Sequence, residues 1–307
     1  MNNALLSKPR LAQCNDRTKR AKFHPELGEP DQWFSASFLN SRGYVGISFD
    51  FFVNWKDRSI SNEIWIKRIA LCDVNELNGQ ILLQQASLLG DNILEIVSFS
   101  QRYNLDAFYV IFEDGVDWET AAKPILKAKL ESKNMALEYK SLPAIMEEIR
   151  MLSGGPLKIG RKGLFYGTST LECYLSKTNA PWPGDVDLLL VNKDSYQVVA
   201  LLEFKKHNLQ DPIRNQKFEN YYPNPDRRKY ERLALLRDYI GDTSVPIINL
   251  YYPTSTSQEE IVLEVVRGSA DELRSEAKQL LEIRGKNIKQ VQQEILNVVE
   301  QLIRYKT

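Results

Sequence analysis

Histidine is almost absent from this 307-residue chain: His24 and His207 are the only two, so no HExxH helix or His-rich zinc site can be built. Cysteine is nearly as scarce. Cys14, Cys72 and Cys173 lie far apart and make no CxxC pair, so no disulfide framework is expected and a reducing compartment is the simpler reading. No apolar run reaches the length needed to cross a bilayer, and the opening MNNALLSKPRLAQ lacks the apolar core of a signal peptide. A cytoplasmic protein with no membrane partner is therefore expected. A Walker loop, a GxGxxG fingerprint, low-complexity tracts and a visible internal repeat are all missing. So is net charge: 40 Lys and Arg are balanced by 40 Asp and Glu, which argues against a uniformly basic coat protein for nucleic acid but leaves room for local basic patches. What is present, 43% hydrophobic and 26% charged residues, belongs to a folded globular protein.

The charges are unevenly placed. Residues 1–24 hold six bases against the single acid Asp16, while 25–150 carry a net charge of −7 and 151–307 a net of about +2. The sequence thus reads as a loosely held basic arm (1–30), an acidic α+β domain (31–152) and a mixed α/β domain (153–307). Ser153-Gly154-Gly155-Pro156 marks the boundary, because two glycines and a proline end a helix and reset the chain direction. An acidic surface repels phosphate, so a protein or small ligand suits residues 31–152, and the basic arm is the better contact for nucleic acid.

Alternation of Val45, Ile47, Phe49, Phe51 and Val53 predicts a strand, followed by a second beginning at Ile64-Trp65-Ile66. Helices are expected at 75–89, 92–103, 142–152 and 169–176, strands at 107–112 and 135–139, and a helix interrupted by Pro124 at 118–131. Later come strands at 185–191, 197–204, 245–251 and 261–266 and a helix capped by Asn224-Pro225 and running to about Ile240. Residues 270–305 read as mostly helix with a break at Gly285. There Ile288, Val291, Ile295, Val298, Leu302 and Tyr305 form a heptad seam that suits core packing, with a homodimer as the alternative.

The segment PGDVDLLLVNKDSYQVVALLEFKK, residues 183–206, carries the chemistry. Side chains alternate along a strand, so Asp185 and Asp187 share one face of the first strand, and Glu203 and Lys205 share one face of the second. Both strands are otherwise apolar on both sides, as in a covered sheet. If they pair as a hairpin, their charged ends coincide. Two carboxylates on neighbouring strands can hold Mg²⁺, with the Phe204 carbonyl as a further ligand. Lys205 can orient or deprotonate a water, or stabilise charge on phosphorus. The plainer alternative is that the aspartates finish a turn while Glu203 and Lys205 make an edge ion pair.

This pattern resembles the PD-(D/E)xK nuclease superfamily, in Asp187 (or Asp185) on one strand and Glu203-Phe204-Lys205 on the next. The resemblance covers about residues 160–255. It implies a restriction-endonuclease-like mixed sheet flanked by helices, preceded by the separate α+β domain. It also implies a Mg²⁺-dependent endonuclease acting on DNA, with Mn²⁺ able to substitute. Glu172, on the preceding helix, holds the position of an accessory acid, although Ser169-Thr170-Leu171-Glu172 is equally a capping box. Gly184 separates Pro183 from Asp185, which leaves the main aspartate ligand open, with Asp187 favoured for lying deeper in the strand. Arg228 and Lys229 on the basic helix, together with Lys206, are candidate nucleic-acid contacts, an ordinary solvated face being the alternative. The competing functions are an inactive nucleic-acid-binding protein on a nuclease fold, and an RNA-directed or defence-associated nuclease.

Overall fold

The computed structural model describes residues 4–24, 26–132, 134–157 and 163–304. In chain order the elements are β1 (Leu6–Ser7), β2 (Ala12–Gln13), α1 (Pro30–Trp33), α2 (Ala36–Ser41), β3 (Tyr44–Asn54), β4 (Ser59–Ala70), α3 (Gly79–Leu88), α4 (Ile93–Arg102), β5 (Asp106–Glu113), β6 (Ile125–Lys129), β7 (Ala136–Lys140), α5 (Leu142–Leu152), β8 (Tyr166–Gly167), α6 (Thr170–Leu175), β9 (Gly184–Asn192), β10 (Val198–His207), α7 (Arg227–Ile240), β11 (Ile247–Pro253), β12 (Glu260–Ser269), β13 (Glu272–Glu282) and α8 (Ile288–Arg304). They form two compact units, Met1–Ala21 with Phe49–Asp185, and Lys22–Ser48 with Val186–Thr307. The chain thus passes from one to the other after Ala21, inside β3 and inside β9, away from the glycine pair at 154–155.

Each unit is α/β with a mixed sheet, and the two follow one plan. In the first, β3 pairs antiparallel with β4, β4 parallel with β5, and β5, β6 and β7 form an antiparallel meander. In the second, β9 pairs antiparallel with β10, β10 parallel with β11, and β11, β12 and β13 form the same meander. Helices α3 and α4 make the parallel crossover in one unit and α7 makes it in the other, as a parallel pair requires. A helix then follows each meander, α5 and α8. No repeat is visible in the sequence because the shared feature is strand order, which many apolar residue combinations satisfy.

The inner strands of each unit are apolar and buried on both faces. Every residue of β11 is buried, and β10 is buried from Ala200 to Glu203. The second unit's core sets Leu188, Leu202, Leu250 and Leu263 against Val291, Ile295, Val298 and Leu302 of α8. The heptad residues up to Leu302 therefore lie in this core, while Tyr305 lies outside the described residues. In the first unit, Ile145 and Ile149 of α5 and Leu171 and Leu175 of α6 pack on Trp65, Val110, Phe112 and Ile125.

Several expectations need correction. The arm is anchored: Leu6 pairs with Ala70, and Ala12 pairs with Gly167. Cys14 and Cys173 form a disulfide across 159 positions, because the β2–β8 pairing sets their Cα atoms 5.4 Å apart. Residues 125–129 are a strand, since Pro124 cannot continue a helix and Ile125, Leu126 and Ala128 are buried in the sheet. Residues 272–282 are also a strand. The hairpin turns at residues 270–271, and just before it Gly268 (φ +110°) pairs with Leu273, where an added Cβ would lie 2.1 Å from the Glu272 carbonyl oxygen. Finally, α7 starts at Arg227 with Asp226 at its cap position, after the Asn224-Pro225 pair.

Candidate metal and phosphate site

In the second unit the β9–β10 ladder ends at Leu188 and Leu202. One step further the register sets Asp187 opposite Glu203. The Asp187 side chain takes over where the ladder stops: its Oδ2 accepts from the Phe204 amide at 2.6 Å. Phe204 turns its ring to the opposite side, stacked on Phe34 with centroids 5.6 Å apart.

Glu203 is 1% exposed. Its Oε1 meets two ammonium groups, Lys229 at 2.7 Å and Lys205 at 3.2 Å. Its Oε2 is buried and accepts no hydrogen bond. An orphaned carboxylate oxygen in a dry site is costly, which makes it a place for a cation. Lys205 also pairs with Asp226 at 2.7 Å, and its ammonium lies 4.6 Å from the centre of the Tyr221 ring and 5.3 Å from that of Tyr230. Burial pulls the Lys205 ammonium downward, but Glu203 and Asp226 outweigh burial and hold it above the ordinary lysine value.

A buried polar chain backs this site. Tyr230 donates to Asn249 Oδ1 at 2.9 Å, Asn249 Nδ2 donates to Tyr251 at 3.1 Å, and Tyr251 donates to Glu264 at 2.8 Å. Glu264 also accepts from the Phe218 amide at 2.7 Å and from Ser275 at 2.6 Å. Burial raises the phenols of Tyr230 and Tyr251, so they stay neutral donors. With its donors matched to acceptors, the chain fixes α7 and the loop before it beside β10.

The expected residues are therefore only partly brought together. Asp187, Glu203, Phe204 and Lys205 meet, and Lys229 joins them as an ion-pair partner of Glu203. Arg228 is exposed and Lys206 half-buried. Glu172 and Asp185 belong to the first unit. There Glu172 accepts from the Thr168 amide at 2.8 Å and pairs with Lys67 at 3.2 Å, while Ser169 caps α6 by accepting from the Glu172 amide at 3.1 Å. Lys67 also faces Asp50 at 3.9 Å, and Asp185 adds its charge. Burial, with Asp185 and Glu172 adding to it, pushes Asp50 up to about 7 against the pull of Lys67 and Trp182. The common plan explains this second cluster. Asp50 lies opposite Trp65, with Lys67 two residues on, so this hairpin carries an aspartate and a lysine but a tryptophan where the other has Glu203.

The residues missed from sequence are Asp226, Tyr230, Asn249, Tyr251, Glu264, Asp50 and Lys67. Three of them had a signal: Asp50, Asn249 and Glu264 are single polar residues inside apolar strand runs, where burial demands a partner.

Among the described residues, no group of three or more His, Cys, Asp or Glu side chains is arranged to hold a metal ion. Asp187 and Glu203 nevertheless suit Mg²⁺ in kind, since that ion commonly takes one or two carboxylates and completes its shell with water and substrate phosphate. Comparison with protein-family models, curated proteins and solved structures finds no match to this chain.

Proposed function

We propose that this chain is a Mg²⁺-dependent nuclease that hydrolyses phosphodiester bonds in DNA, with its site on the β9–β10 hairpin. The observation that carries the reading is the buried Glu203 carboxylate, with one oxygen lacking any hydrogen bond, beside an ammonium held charged on the same strand. Asp187, Glu203 and the Phe204 carbonyl would hold the ion. When bound, the metal polarises the phosphodiester and lowers the pKa of a coordinated water.

The remaining work falls to the chain's own groups. Lys205 stays protonated at neutral pH, so it acts as a cation that orients the nucleophile and offsets charge growing on the phosphate oxygens. It does not serve as the general base. Asp226 keeps Lys205 aimed while Glu203 engages a ligand. Lys229 is 31% exposed, enough to swing from Glu203 to a substrate phosphate.

A second reading rests on the same two lysines. With both ammonium groups on Glu203 Oε1, the cluster is already neutralised, as in a nucleic-acid-binding protein that has lost its catalysis. Plasmid and single-stranded substrates, incubated with the full chain in Mg²⁺ or in excess chelator, separate the two. The nuclease reading expects cutting in Mg²⁺ only, reduced about 100-fold or more by Lys205→Met or Asp187→Asn. Binding without cutting, under every metal condition, would establish the second reading.

A further inference from the structure

The β2–β8 ribbon of the first unit displays aromatic rings to solvent. Phe165 is 65% exposed, Tyr166 40%, and their ring centroids lie 4.9 Å apart. Leu164, next to Phe165 in the chain, and Leu11, next to β2, are also exposed. Water-exposed rings grouped on one short ribbon mark an interaction surface.

The ribbon is held firmly. Gln13 pairs with Tyr166, and the Cys14 amide donates to the Phe165 carbonyl at 2.9 Å. Arg17 turns inward to the Gly167 carbonyl at 2.6 Å and to Asp114 at 3.2 Å. The Cys14–Cys173 disulfide ties the ribbon to α6. Its rings are thus presented in a fixed arrangement, which lowers the ordering cost of binding.

Charge says what the rings receive. On the far side of β2 a returning segment pairs with it: the Gln13 amide donates to the Lys19 carbonyl at 3.0 Å, and Ala12 bridges to Arg20. Two strand spacings, about 10 Å, therefore separate the backbone of these cations from that of Tyr166. Arg10, Lys19 and Arg20 are exposed, and Asp16 is the only acid within residues 4–21. Aromatic faces fringed by cations match a polyanion that offers flat rings. A duplex keeps its base faces stacked inside, whereas a single strand exposes them. We propose that the β2–β8 ribbon is a binding surface for single-stranded nucleic acid, with bases stacking on Phe165 and Tyr166 and phosphates meeting Arg10, Lys19 and Arg20.

This goes beyond the nuclease reading, because such binding needs neither a divalent cation nor Glu203. The test is fluorescence anisotropy of the full chain in excess EDTA, with a labelled oligothymidylate and a mixed-sequence duplex of equal length as probes. The single strand should bind more tightly than the duplex. Phe165→Ala/Tyr166→Ala should weaken single-strand binding roughly tenfold or more, while Phe165→Trp keeps it. Lys19→Glu/Arg20→Glu should weaken both probes and flatten the salt dependence. Wild-type affinity in the double-alanine variant, or a wild-type chain that prefers the duplex or binds neither probe, would overturn the proposal. Single-strand binding that persists in a chain unable to cut would leave this surface standing and remove only the nuclease.

Discussion

Replacing Glu203 by glutamine keeps the size of the side chain and removes one charge, and the sign of its effect separates two kinds of site. Where unscreened carboxylates crowd together, losing one relieves repulsion and stabilises the metal-free protein. Here the two nearest charges are the ammonium groups of Lys229 and Lys205, at 2.7 and 3.2 Å. The Glu203 side chain is 1% exposed and that of Lys205 11%. Breaking a buried pair by removing one partner costs about 3–5 kcal/mol. Two features reduce this: Asp226 still holds Lys205 at 2.7 Å, and Lys229 is 31% exposed and can be solvated. We expect Glu203→Gln to lose roughly 2–3 kcal/mol at neutral pH. Urea unfolding without divalent ions, followed by both circular dichroism and tryptophan fluorescence, measures it. Adding Lys229→Met removes the stranded cation and should restore part of the loss. A Glu203→Gln midpoint equal to or above that of wild type would refute the ion-pair geometry.

Asp50 gives a pH dependence. Its folded pKa of about 7 lies above the ordinary 3.8, so between these values the folded chain holds a proton that the unfolded chain has released. Stability therefore falls as pH rises through that window, and melting curves on either side should show a smaller fall in Asp50→Asn than in wild type. Glu264→Ala strands the Phe218 amide, the Tyr251 hydroxyl and the Ser275 hydroxyl, and should cost about 3 kcal/mol or more in urea unfolding. Cys14→Ser, or reduction of the wild type, should cost roughly 2–4 kcal/mol, read as a lower melting temperature, with the intact mass of unreduced protein reporting the bond.

The fold was legible where the signal is local. The alternating run from Val45 and the cap-to-stop pattern of 142–152 fixed their elements closely, because periodicity and capping act within a few residues. It was illegible where tertiary contact decides. The polar-looking ELRSEAKQLLE of β13 has helical composition, and its pairing along β12 overrides that preference. The Cys14–Cys173 bond depends on a β2–β8 pairing of two residues per strand, too short to leave a pattern. At the site, strand alternation puts Glu203 and Lys205 on one face, and their side chains meet at 3.2 Å. It could not reveal Asp226 or Lys229 as their partners, since that follows from how α7 lies on β10.

In the proposed site, Asp187 and Glu203 would hold a divalent cation that competes with Lys229 for Glu203. Titration of Mn²⁺ into the full chain, with free ion followed by electron paramagnetic resonance, tests it directly and does not depend on cutting. Wild type should bind Mn²⁺ that Mg²⁺ displaces, with a loss of roughly tenfold or more in Asp187→Asn and in Glu203→Gln and tighter binding in Lys229→Met. Equal binding by wild type and Glu203→Gln, or no binding by wild type and Lys229→Met alike, would contradict it.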